Sequence, residues 1–146
     1  MQRKYRVLVI DDDEIIRDII AMSLEQEGFD VDTAANGKEA IDKSHASLYN
    51  IAIVDWRLPD IQGTKLLGKL KDTKPRMGKI MLTGFPSTEN AIEALNERAD
   101  AFFLKPVDME LVIKKIRELL REQEESKRLV EYARKAMQIA GQPCIE

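Results

Sequence analysis

The stretch Val7-Leu8-Val9-Ile10-Asp11-Asp12-Asp13 decides how this chain folds. Four consecutive apolar residues read as a strand covered on both faces, because a strand with one wet face would alternate. The run stops abruptly at three acids. Ile51-Ala52-Ile53-Val54-Asp55 repeats the form, an apolar run ending in an acid. Ile80–Leu82 runs into Thr83, and Phe102–Leu104 runs into Lys105-Pro106. If these runs are parallel strands, the acids, the hydroxyl and the amine share the carboxyl edge of one sheet. Open α/β sheets bind their ligands at that edge, where strand order reverses.

Working outward, the connecting segments read as helices. Glu14–Glu27 carries Ile15, Ile16, Ile19, Ile20 and Leu24 at helical spacing, with Asp13 placed to cap it and Gly28 to stop it. Phe29–Ala34 alternates apolar and acidic residues, the mark of a half-exposed edge strand. Asn36-Gly37 reads as a turn before a helix to about Ser47 that carries Ala40 and Ile41, with Leu48 beyond it. Leu58–Gly63 is a loop by its Pro and Gly, and Thr64–Lys71 is a short helix using Leu66, Leu67 and Leu70. Lys79–Leu82 is the fourth strand. Ser87 caps a helix to about Arg98, with Ala91, Ile92 and Leu95 expected inward. Ala101–Leu104 is the fifth strand, and Asp108 caps the last helix.

The pattern is (βα)5. Right-handed crossovers and short connections give a doubly wound α/β fold. The alternating second strand belongs at an edge and the apolar first and third in the middle. That selects the flavodoxin-like five-stranded parallel sheet of order 2-1-3-4-5, in which the first and third strands flank the switch point. Asp11, Asp12 and Asp55 come from those two strands, so their clustering follows from the topology.

Composition narrows the class. With 146 residues and 44% hydrophobic content, the chain can bury one core and carry a modest extension. A net charge of -3 gives no general pull toward nucleic acid or membrane. The N-terminus has no apolar signal region, and no stretch is long enough to span a bilayer. The single cysteine, Cys144, excludes an internal disulfide and fits a reducing, cytoplasmic setting. The single histidine, His45, lies in a helical stretch without a second ligand nearby and reads as solvated.

A domain over residues 5–121 is expected, with a helical extension over 122–146. A helix from Met109 to Ala140, ended by Gly141-Gln142-Pro143, would span roughly 48 Å. Met109, Val112, Ile116, Leu119, Gln123, Ser126, Val130, Ala133, Met137 and Ala140 form a heptad seam with a polar break at Gln123 and Ser126. It reads either as a parallel coiled coil joining two domains or as a single solvated helix. Residues 122–146 are too few for a separate nucleic-acid reading head and show no clear basic face.

The edge residues suit a divalent cation and a phosphoryl group. Asp11 and Asp12 are oxygen ligands for a hard cation such as Mg2+. Three packed acids repel one another unless a cation joins them, and that cation leaves Asp55 ionised and nucleophilic. Thr83 can donate to a phosphoryl oxygen, Lys105 can place a compact positive charge on the same group, and Gly84 leaves room for a donor. Asp13 alone suffices to cap the helix, so the acidic run exceeds what capping needs.

These residues carry a family resemblance. Over about Tyr5 to Arg121 the chain resembles the receiver domain of two-component response regulators, the CheY-like fold. The matching segments are Val9–Asp13, Val54-Asp55-Trp56-Arg57-Leu58-Pro59-Asp60-Ile61-Gln62-Gly63, Leu82-Thr83-Gly84 and Leu104-Lys105-Pro106. The resemblance implies Asp55 as phosphoacceptor. It implies an Mg2+ site formed by Asp11, Asp12 and Asp55, with Asp12 the direct ligand, and by the backbone carbonyl of Arg57. Thr83 and Lys105 would bind the phosphoryl group, and Thr83 and Phe102 would form the switch; Phe102 stands where the family often has Tyr. Trp56 and Arg57, bulkier than in many relatives, are expected to affect the rate of dephosphorylation.

The resemblance further implies a phosphohistidine donor on a sensor histidine kinase or phosphotransfer protein. It implies a switched surface on the fourth helix, fifth strand and fifth helix; a homodimer through that face or the long helix is a separate expectation. Such a domain is no enzyme beyond its own phosphorylation and slow autodephosphorylation. Two rivals are a phosphatase or mutase of the haloacid-dehalogenase type and an unphosphorylated scaffold. The first needs a second acid at position 57, where this chain has Arg.

Overall fold

A computed structural model of the protein describes residues 4–84 and 87–141. Five strands alternate with five helices. They are β1 (Arg6–Ile10), α1 (Glu14–Gln26), β2 (Asp30–Ala34), α2 (Gly37–Ala46), β3 (Ile51–Asp55), α3 (Gly63–Leu67), β4 (Gly78–Thr83), α4 (Thr88–Asn96), β5 (Ala101–Leu104) and α5 (Met109–Ile139). The sheet order is β2-β1-β3-β4-β5, and every pairing is parallel. This is the order read from the apolar runs, and it places the switch point between β1 and β3.

Alternation along the strands divides the core into two layers. Leu8, Ile10, Ala52, Val54 and Met81 face α2, α3 and α4, meeting Ala40, Leu66, Leu67 and Ala94. Val7, Val9, Ile51, Ile53, Ile80 and Leu82 face α1 and α5, meeting Ile20, Leu24, Val112 and Ile116. Covering on both sides explains why β1, β3 and β4 show no polar alternation. One exception is Lys79, buried within β4, whose ammonium donates to the Leu67 carbonyl at 2.8 Å. Burial pulls its pKa down.

Local chemistry sets the helix ends. The Asp13 carboxylate accepts from the Ile15 and Ile16 amides, so Asp13 caps α1 as expected. Gly28 ends that helix with φ +92, a backbone geometry that favours glycine. Ser87 and Asp108 cap α4 and α5. Asn36 differs from expectation: it is not a turn residue but the N-cap of α2, its side chain accepting from the Glu39 amide at 2.9 Å. α3 is shorter than Thr64–Lys71, because its helix closes at Leu67, although Leu66, Leu67 and Leu70 are buried as expected.

The inward face expected for α4 is wrong. Ala94 is its buried residue, while Ile92 and Leu95 are 53% and 71% exposed. Leucine and isoleucine at helical spacing mark an apolar stripe without saying which surface it meets. The same holds in α1, where Ile20 and Leu24 are buried and Ile15 and Ile19 are exposed, and for exposed Leu48.

The polar break in the α5 seam has a structural cause. Val112, Ile116, Leu119, Leu120 and Gln123 are all buried against the domain. The Gln123 amide donates to the carbonyls of Asn50 at 2.8 Å and Arg76 at 3.1 Å, just before β3 and β4 begin. The upper seam therefore packs inside the domain. Gln142, Pro143 and Cys144 lie outside the described residues. No helix among the described residues is long and apolar enough to cross a membrane.

Candidate functional site

The carboxyl ends of β1, β3, β4 and β5 converge on a cleft of about 280 Å³. Asp11, Asp12, Asp55, Trp56, Arg57, Thr83, Gly84 and Lys105 line it. All the edge residues singled out from sequence, apart from Phe102, thus meet in one place. Carboxylate oxygens of Asp11, Asp12 and Asp55 lie within 4.8 Å of one another.

The three acids are held differently. Asp11 is 1% exposed; one oxygen accepts from the Asp13 amide at 2.9 Å and the other from the Lys105 ammonium at 3.0 Å. Asp12 is exposed and points its charge at the cleft mouth. Asp55 closes β3 and lies 3.1 Å from Lys105. One ammonium therefore bridges acids from two strands. The Arg17 guanidinium donates to the Asp11 carbonyl at 2.9 Å and steadies the β1–α1 connection.

Charge balance explains the titration of the pair. Burial opposes charge on Lys105, but hydrogen bonds and charge from Asp11 and Asp55 outweigh it and raise its pKa. Burial pushes the Asp55 carboxyl up to about 6; Asp11 adds to the rise, and Lys105 offsets only part of it. Asp11 and Asp55 share the Lys105 ammonium, and of the groups lining the cleft four are acids against Lys105 and Arg57, so it is short of positive charge. An oxygen-liganded divalent cation fits that deficit, the exposed Asp12 above all.

Thr83 is fully buried at the end of β4, and its carbonyl accepts from the Lys105 amide at 2.7 Å. The Lys105-Pro106 peptide is cis. Phe102 lies beside Met81 in the register and packs, half-buried, against the α2–α4 layer. Thr83 follows Met81 by two residues, so Thr83 and Phe102 share one face of the sheet. His45 is exposed on α2, away from the cleft.

The family model of the response regulator receiver domain matches residues 7–117. The chain belongs to the response regulator receiver domain family. It is 42% identical to the CheY-like receiver domain protein of Methanospirillum hungatei JF-1, with a TM-score of 0.79, covering 84% of this chain and 98% of that one. A response regulator protein from Burkholderia pseudomallei, solved with a phosphorylated aspartic acid, calcium ion and citrate, is 26% identical with a TM-score of 0.73. That match covers 98% of this chain and 78% of the other. The probable transcriptional regulatory protein TcrX of Mycobacterium tuberculosis (strain ATCC 25618 / H37Rv) is 32% identical over 79% of this chain and 49% of its own length. The chain thus spans about half the length of that curated relative.

Sequence reasoning missed what frames the end of β3. After Asp55 the chain turns back on itself: the Trp56 amide donates to the Leu82 carbonyl at 2.7 Å and the Gly63 amide to the Trp56 carbonyl at 2.8 Å. A Cβ at Gly63 would sit 2.2 Å from the Asp55 carbonyl oxygen, so only glycine fits. The Asp60 carboxylate accepts from the Gly37 and Lys38 amides, pinning this loop to the start of α2. These bonds lower the Asp60 pKa. An acid and a glycine three residues apart in a loop were visible, but not the long-range partners. At Gly84, by contrast, an added Cβ would meet nothing within 4 Å, so that glycine leaves the cleft mouth open.

Proposed function

We propose that the protein accepts a phosphoryl group on Asp55 from a phosphohistidine of a sensor histidine kinase or phosphotransfer protein. The observation that carries this reading is the Lys105 ammonium held between Asp11 and Asp55 at 3.0 and 3.1 Å, with Thr83 on the neighbouring strand. Family membership supports it, as does the phosphorylated aspartic acid of the Burkholderia pseudomallei relative. Asp11, Asp12 and Asp55, with the Arg57 carbonyl, would hold Mg2+. When bound, that ion supplies positive charge beside the transferring phosphoryl oxygens and favours the ionised acceptor.

The chain's own residues account for the transfer. An Asp55 carboxylate oxygen attacks phosphorus in line; the O–P bond forms as the P–N bond breaks, and the electron pair stays on the imidazole nitrogen. Lys105 places its charge against the transferred oxygens. Thr83 donates its hydroxyl to one of them, and Phe102 turns into the space beside it. This shifts the surface of α4, β5 and α5 between two states. Trp56 and Arg57 at the cleft rim set the access of hydrolytic water. Turnover of other substrates forms no part of this reading, since Arg57 stands where a phosphatase of the haloacid-dehalogenase type needs a second acid.

We further assign residues 5–121 to the receiver and 122–146 to a helical extension, in a cytoplasmic setting, with no direct nucleic-acid or membrane contact by this chain. Exposed Ile92, Leu95, Leu104 and Leu111 support a homodimer or effector face on α4, β5 and α5, and the long α5 supports pairing through the extension. Acetyl phosphate with Mg2+ should add one phosphoryl mass to the wild type and none to Asp55→Asn. Equal labelling of both would sink the assignment.

A further inference from the structure

Beyond Gln123, α5 runs on from the domain for about four turns with its side chains mostly exposed, Tyr132 at 76% and Ile139 at 88%. Where it leaves the sheet, a groove of about 830 Å³ opens between α5 and the base of the domain. Tyr5, Phe29 and Leu120 give it an apolar floor under a charged rim that includes Glu27, Arg121 and Glu125, and Arg117 lies over the Phe29 ring at 5.8 Å.

One row of α5 begins at this groove: Arg121, Glu125, Arg128, Tyr132, Lys135 and Ile139. Alternating steps of four and three put all six on one face, and all six are exposed. Turned end for end about residue 130, the row faces its copy without a like-charge contact. Arg121, beside the groove, meets Ile139; Glu125 meets Lys135; and Arg128 meets the Tyr132 ring, a favourable cation–π partner. In parallel register the same row sets Arg121, Glu125, Arg128 and Lys135 against their own copies, four like-charge contacts.

We propose that the protein forms a two-fold dimer in which the α5 extensions run antiparallel along this row, each Ile139 entering the groove of the other copy. The proposal rests on the reading of the long helix as a dimer element. A two-fold axis makes each pairing occur twice, as an isologous interface requires. Glu125 already holds Arg128 on its own helix, and such an exposed pair is readily shared with a facing lysine. The competing parallel seam through Ser126, Val130, Ala133, Met137 and Ala140 is what is left outside the domain of the longer heptad run. Its upper half, Val112 to Gln123, is buried inside the domain.

Cross-linking reads the orientation directly. In a Cys144→Ser background, mixing Glu125→Cys with Lys135→Cys should give disulfide-linked dimers, while either variant alone should not. By sedimentation equilibrium at about 100 μM, the wild type should be dimeric and weaken with salt. Glu125→Lys should weaken it about tenfold through two repulsive contacts, and adding Lys135→Glu should restore it. Like-position cross-links, 125 to 125 and 135 to 135, would overturn the antiparallel arrangement and leave a helix-mediated dimer standing. A monomer throughout would overturn both.

Discussion

The loop after Asp55 and helix α4 lie on the same side of the sheet, yet they are held in opposite ways. Residues 56–62 are fixed by two backbone hydrogen bonds, the Arg57–Gln62 bridge, the Asp60 cap on α2 and the close approach of Gly63 to the Asp55 carbonyl. α4 buries one residue, Ala94, and is tied by a hydrogen bond from the Thr64 hydroxyl to Glu93 at 2.7 Å. Elements with few buried apolar contacts open at low free energy. Asp55 is thus set in a rigid frame while the neighbouring helix is cheap to shift. That division suits the proposed transfer to Asp55 and the proposed shift of α4.

The largest effect is expected where the frame is tightest. Gly63→Ala should destabilise the protein by about 3 kcal/mol or more, because the added carbon meets backbone rather than a flexible side chain; chemical denaturation measures it. A loss under about 1 kcal/mol would show that the frame yields.

The next test concerns the charge inside that frame. The Asp55 carboxyl is raised from an ordinary value near 4 to about 6, so the folded state prefers it protonated. That preference stabilises fully below about pH 4 and is lost as pH rises through about 6. Metal-free protein should therefore lose about 2 kcal/mol across this window, and Asp55→Asn should remove the loss. Mg2+ should raise the melting temperature at pH 7.5 more than at pH 4.5. Identical pH profiles for wild type and Asp55→Asn would contradict the crowded-acid account.

On the looser side, effects should shrink. Thr64→Val removes a buried hydroxyl's bond to Glu93 and should cost about 1 kcal/mol, with faster amide exchange in α4. Ile92→Ser and Leu95→Ser should change stability by less than about 0.5 kcal/mol, since both side chains are already wet. Losses of 2 kcal/mol there would mean that α4 is as firmly packed as the frame.

The same contrast marks how far the sequence could be read. β1, β3 and β4 were legible because strands buried on both faces show unbroken apolar runs, and the topology then placed Asp11, Asp55, Thr83 and Lys105 at one edge. Caps at Asp13, Ser87 and Asp108 were legible because each acts within three residues of itself. What escaped was long-range. Asp60 reaching α2, Gly63 lying against Asp55 and Gln123 bonding to two strand starts all depend on how distant segments meet. The direction of the α4 stripe escaped for a related reason. Helical spacing gives a face, but whether that face meets the core or another molecule is decided elsewhere in the fold.

The most direct measurement is amide hydrogen exchange on the protein before and after phosphorylation with acetyl phosphate and Mg2+. A rigid frame beside a loosely held helix should give altered exchange across residues 88–104 and little change across 56–67. Change confined to 56–67, or spread equally over both, would contradict it.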